Sequence, residues 1–257
     1  MKKSNIKLVV LMLTFLCCLS TFPLFAQPPR FSFEKYVTTE GDTLNYRLLY
    51  PDANPLRKFP LVVFLHGGGE NGNDNDAQLK WGVMNFATDQ AMAKHPAFVI
   101  APQCPKDMNW FNFNFEENIK LLPDPSKPME LMIKLINELI EKYPIDKNRI
   151  YITGLSSGGT GTFDAIQRYP DLFAAAVPVC GGGDISKAAS IAHIPMWIIQ
   201  GVEDPAGDPR SSIDMAKALI NTGGRPGLTL YPEVGHFSWL AAYSNSALME
   251  WLFRQQK

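Results

Sequence analysis

Arg149-Ile150-Tyr151-Ile152-Thr153-Gly154-Leu155-Ser156-Ser157-Gly158-Gly159-Thr160-Gly161-Thr162-Phe163 is the stretch whose reading decides the fold. It begins as a short β-branched and aromatic run, which predicts a buried strand over 150–154. From Thr162 to Tyr169 the pattern is helical, and Pro170 stops it. Between strand and helix lies G-x-S-x-G, with Gly154 and Gly158 flanking Ser156. A serine on so sharp a turn is strained, and its hydroxyl stands above the sheet edge. The flanking glycines are demanded because a Cβ there would strike the adjoining strand or helix. The Ser157 amide then opens a helix, where negative charge is favoured. Ser157 is a poor rival nucleophile, because Leu155 rather than glycine stands two positions before it.

Outward from this turn the same alternation repeats. Residues 31–39 and 43–50 alternate around Gly41-Asp42, a hairpin signal. Residues 59–65 are continuously apolar and run into His66-Gly67-Gly68-Gly69, which predicts a strand covered on both faces. Residues 97–101, 173–179, 196–200 and 228–231 continue the series. Helical periodicity is clearest over 128–143, with Leu131, Leu135, Ile136, Leu139 and Ile140 on one face and Lys134, Glu138, Glu141 and Lys142 opposite. Residues 208–221 and 239–254 are the other strong helices. Strand and helix in alternation predict an α/β fold, a mostly parallel sheet of about eight strands with helices on both faces. Residues 102–127 break the pattern. They are long and aromatic, with Trp110, Phe111, Phe113 and Phe115 among asparagines, as in a functional loop or an Ω-loop that packs its own aromatics.

Composition bounds the function. The chain has 257 residues, 46% hydrophobic and 19% charged, which suits one globular domain. A net charge of −1 and the lack of any basic block argue against nucleic acid as a partner. Residues 1–26 read as a secretory signal: Lys2, Lys3 and Lys7 precede an apolar run, and Leu24-Phe25-Ala26 offers a cleavage point before Gln27. Ser20, Thr21 and Pro23 interrupt that run, against a permanent membrane span. The expectation is a secreted or periplasmic protein whose single domain is 27–257. Cys104 and Cys180 are expected to end strands three places apart, about 14 Å. A disulfide needs Cα atoms within roughly 7 Å, so two reduced thiols are predicted.

A serine hydroxyl needs a base, and the base needs an acid to fix its tautomer. Of the four histidines, His66 precedes three glycines and lies upstream of the serine, His95 reads as surface, and His193 sits at a strand entry. His236, in Glu233-Val234-Gly235-His236-Phe237-Ser238-Trp239, follows the last strand at the end where a base must sit. The acid is expected between serine and histidine in sequence. Asp204 is the candidate, with Glu203 and then Asp208 as rivals. Oxyanion donors are expected from the Ser157 amide and from the loop after the first central strand, Gly68 before Gly67. Trp110 and Trp81 could stack on a substrate ring, and Gln103 is a third candidate substrate contact.

Taken in order, these pieces form a pattern: H-G-G-G-E-x-G-x-D-N, A-P-Q-C-P with a tryptophan soon after, Y-I-T-G-L-S-S-G-G, G-x-x-D-P, then V-G-H-x-S-W. The pattern resembles the secreted α/β-hydrolases of the feruloyl-esterase, esterase D and polyhydroxybutyrate-depolymerase-like group, also labelled prolyl-oligopeptidase-like or phospholipase/carboxylesterase. The likeness runs from Tyr36 onward. It implies an α/β-hydrolase fold and a carboxylic ester hydrolase with Ser156, Asp204 and His236 as triad and Gly68 with Ser157 as oxyanion donors. It implies no metal or organic cofactor. Asn71 stands where such proteins often carry arginine, Gln200 where they often carry histidine, and Ala206-Gly207 where they often carry valines. The expected substrate is a small or polysaccharide-linked ester of acetyl or feruloyl type. A serine peptidase and a silent binding module are the competing readings.

Overall fold

The computed structural model describes residues 30–52 and 57–257, so the expected signal at 1–26 lies outside it. The chain opens on a hairpin, β1 (Phe31–Val37) and β2 (Thr43–Leu49), closed at Gly41 with φ 89. Next come β3 (Phe59–Leu65), α1 (Asp89–Lys94) and β4 (Phe98–Pro102). A two-stranded ribbon of β5 (Phe113–Asn114) and β6 (Lys120–Leu121) precedes α2 (Lys127–Lys142). Then follow β7 (Ile145–Leu155), α3 (Ser157–Arg168), β8 (Ala175–Val179), α4 (Ala188–Ile191) and β9 (Trp197–Gly201). The chain closes with α5 (Pro209–Asn221), β10 (Gly227–Tyr231), α6 (Trp239–Ser244) and α7 (Ser246–Phe253).

Eight strands form one sheet in the order β1-β2-β4-β3-β7-β8-β9-β10. β1, β2 and β4 pair antiparallel, and every later pairing is parallel. β3 shows why both faces are covered. Leu61, Val63 and Leu65 point into one core with α2, α3 and α5, whereas Val62 and Phe64 point into a second with α6 and α7. Each such side chain, fully buried, contributes about 1.5–3 kcal/mol. This is the α/β-hydrolase fold expected from the sequence.

From β3 the chain crosses to β4 on one side and later returns to β7 on the other. That reversal opens a crevice beyond the carboxyl ends of β3 and β7, where open α/β sheets bind ligands. Gly67-Gly68 and Ser156 stand at its two sides.

Two expectations need correction. Residues 239–254 are two helices and not one, because Asn245 leaves helical geometry and caps α7, accepting the Ala247 amide at 3.0 Å. The central strand begins at Ile145, five residues before its predicted start, because Ile145 pairs with Phe59 beyond a bulge. Among the described residues, no helix is long and apolar enough to cross a membrane.

Candidate active site

Ser156 follows the last residue of β7 and precedes the first of α3. Its φ of 55 and ψ of −118 are strained for a residue with a Cβ. The turn is enforced by contact: a Cβ on Gly158 would collide with the carbonyls of Leu65 and His66, and one on Gly154 with that of Gly158. The Ser156 amide donates to the Val179 carbonyl at 3.0 Å and to Cys180 Sγ at 3.3 Å, which fixes the turn from below. Burial pushes the Cys180 thiol up to about 12, so it accepts as a neutral group.

His236 and Asp204 arrive from turns after β10 and β9. His236 Nδ1 faces both Asp204 oxygens, at 3.0 and 2.9 Å. A carboxylate only accepts, so Nδ1 carries the proton and Nε2 is left to accept from Ser156 Oγ–H at 2.8 Å. The Asp204 side chain is fully buried, while that of His236 is 24% exposed and open to the crevice. Four donors in all hold the carboxylate in place. The Ala206 and Gly207 amides reach Oδ1 at 2.8 and 3.1 Å, and Gln200 Nε2 reaches Oδ2 at 2.9 Å; the fourth is His236 itself. Trp239 packs its ring edgewise on His236, 5.2 Å between centroids.

The rivals fall away by position. Glu203 is exposed, and Asp208 is spent capping α5. His95 stacks on Phe253, and His193 is exposed beside the Pro170 carbonyl. His66 is buried, its Nε2 accepting from the Cys104 amide at 2.9 Å and its Nδ1 donating to the Gly67 carbonyl at 2.6 Å. Burial pulls its pKa down to about 4.

Gly68 and Ser157 meet across the crevice: a Cβ on Gly68 would lie 3.8 Å from the Ser157 Cβ. Ser157 is the first residue of α3, so its N–H has no partner within the helix. Both residues line a cleft of about 490 Å³ with Ser156 and His236.

The proposed substrate contacts are elsewhere. Trp110 is fully buried, donating Nε1 to the His66 carbonyl, and has no face free to stack. Gln103 is buried too, its amide spent on Asp74, the Glu70 carbonyl and the Asn75 amide. Trp81 packs on Phe237 and Trp239 outside the cleft lining. The cleft instead takes Phe111, Phe115 and Ile119 from the aromatic segment. Sequence reasoning missed Cys180, whose thiol position has no linear signal. Gln200 was visible as a departure, but not as a ligand of the acid.

Among the described residues, Cys180, Asp204 and His236 bring possible metal-donor atoms within 4.8 Å of one another. The carboxylate oxygens there are already taken by the four donors above. Cys104 and Cys180 are both buried and carry free thiols.

The family profile described as phospholipase/carboxylesterase matches residues 53–244. A solved structure of a thermostable esterase is 42% identical and superposes with a TM-score of 0.82, over 89% of this chain and 64% of that one. A bifunctional acetylxylan esterase/xylanase of Neocallimastix patriciarum is 22% identical over 61% of this chain and 21% of its own length. Feruloyl esterase B of Talaromyces stipitatus is 25% identical over 52% of this chain and 35% of its own length. The chain thus spans between a fifth and about a third of these two curated relatives.

Proposed function

The chain belongs to the phospholipase/carboxylesterase family, and from that premise we propose that it is a serine carboxylic ester hydrolase working through an acyl-enzyme. Ser156 Oγ attacks the ester carbonyl carbon as its proton passes to His236 Nε2. The carbonyl electron pair moves onto oxygen, and the Gly68 and Ser157 amides hold the resulting oxyanion. One such donor is typically worth about 3 kcal/mol. The intermediate collapses, and His236 hands its proton to the departing alkoxide. Water then attacks the acyl carbonyl with the same base and releases the acid. Asp204 keeps His236 in the one tautomer that permits this and stabilises its cation. The observation that carries the reading is the continuous chain of contacts from Ser156 Oγ through His236 to a fully buried carboxylate.

For the substrate we infer an acetyl or feruloyl type of acyl group on carbohydrate. The relatives' activities favour it, as does a cleft with one aromatic side. The apolar run behind three lysines at the N-terminus favours export, and 27–257 is taken as a single domain. Hydrolysis of p-nitrophenyl acetate by the wild type and by Ser156→Ala tests the mechanism. Loss of turnover in the variant is expected, and equal rates would contradict it.

A further inference from the structure

The apolar side of the cleft comes from one segment of chain. Phe111, Phe115 and Ile119 all lie between β4 and α2. The rings of Phe111, Phe113 and Phe115 pack on one another, with centroids 5.6–6.1 Å apart. Such a segment has no place in the sheet, so something else must set its distance from Ser156.

That something is one face of α3, the helix that begins at Ser157. Gly161, Asp164 and Arg168 share the face at spacings of three and four. A Cβ on Gly161 would stand 2.5 Å from Trp110 Cβ, so helix and segment meet backbone-close. Asp164, with its side chain fully buried, accepts the Asn112 amide at 2.9 Å and Arg168 Nε at 2.7 Å. Arg168, its side chain 7% exposed, also donates from Nη2 to Asp164 Oδ2 at 3.2 Å, and reaches the carbonyls of Pro123 at 2.8 Å and Asn112 at 3.3 Å. On the far side Asp184 accepts the Leu121 amide at 3.0 Å, and Gln167 of the same helix holds the Asp184 backbone.

A buried ion pair is a weak source of stability, because desolvation consumes most of the attraction. A planar guanidinium is well suited to holding two carbonyls at fixed angles. We propose that Asp164 and Arg168 are specificity-positioning residues: their pair docks residues 109–124 on the nucleophile's helix and so sets the wall that receives the bulky apolar group of an ester. Neither touches the reacting atoms. The inference rests on the serine-esterase reading and adds to it the residues that discriminate by size.

The test compares p-nitrophenyl 3-phenylpropanoate with p-nitrophenyl acetate for wild type, Arg168→Lys, Arg168→Gln and Phe115→Ala. The ratio of kcat/KM for the large ester over the small one should fall at least tenfold in Arg168→Gln, chiefly through KM. It should fall less in Arg168→Lys, which keeps the charge but loses the fork. Phe115→Ala, at an exposed position of the wall that bonds to neither member of the pair, should reproduce the fall and keeps the test open if Arg168→Gln does not fold. Hydrogen exchange of the amides over 112–122 should quicken in both Arg168 variants. A ratio that stays constant, with both esters falling together or neither falling, overturns the proposal, as does unaltered exchange. Folded wild type that hydrolyses neither ester refutes the esterase reading instead, and the exchange comparison then decides the clamp.

Discussion

His236 Nε2 lies 2.8 Å from Ser156 Oγ, although 80 positions separate the two residues in the chain. Only the parallel sheet brings them together, because each sits on a turn at the carboxyl end of its strand.

If this contact is the proton path, the state of His236 decides the rate. Asp204→Asn leaves the shape but offers an NH₂ to Nδ1, which turns the tautomer and takes Nε2 out of use as a base. The expected fall in kcat is about 10³–10⁴-fold. Steady-state turnover of p-nitrophenyl acetate measures it, with far-UV circular dichroism as the folding control.

Gln200 donates to Asp204 Oδ2 at 2.9 Å, one of four donors on that carboxylate. Gln200→Leu removes a hydrogen bond to a charged group, worth about 1.5–3 kcal/mol. If Asp204 acts on the imidazolium formed during reaction, as proposed, the loss should appear in kcat, roughly tenfold or more, with KM little altered. A change confined to KM would point to a different role.

Two glycines of the site should respond in opposite ways. Gly158→Ala drives a Cβ into two backbone carbonyls that cannot move without parting β3 from β7, so folded protein should not accumulate. Gly69→Ala meets nothing within 4 Å and should shift stability by no more than about 1 kcal/mol. Soluble yield and thermal unfolding of the pair check this.

His66 should give the protein a pH-dependent stability. Burial holds its folded pKa at about 4, below the usual histidine value of 6.5, and protonation would set a new N–H against the Cys104 amide. A depressed folded value means that the unfolded chain binds the proton first. The contribution is therefore complete above pH 6.5 and is lost as pH falls towards 4, about 3 kcal/mol in all. Urea unfolding at pH 7.5, 6 and 5 should show the midpoint falling, and His66→Asn should flatten that decline.

The sheet was legible because buried strands announce themselves: 59–65 carries no polar residue, and its seven positions are all buried. The turn at Ser156 was legible because glycine at two fixed offsets has a steric cause. His236 and Asp204 could be picked by order along the chain and by strand ends, without any distance. What stayed hidden depends on contacts that leave no local trace. Trp110 lies in an aromatic stretch without a clean period and was a candidate for stacking on substrate, yet the gap left by Gly161 swallows it. Asp164 and Arg168 stand at an ordinary helical spacing of four, and nothing in the sequence shows that the 109–124 segment lies over them. The break at Asn245 was hidden by apolar periodicity that runs through it on both sides.

The most direct measurement is covalent labelling of the nucleophile. Folded protein treated with a fluorophosphonate and digested should carry one adduct, on the peptide containing Ser156. Labelling should vanish in Ser156→Ala and slow by orders of magnitude in His236→Ala. An adduct on another residue, or folded wild type that stays unmodified, would contradict the account.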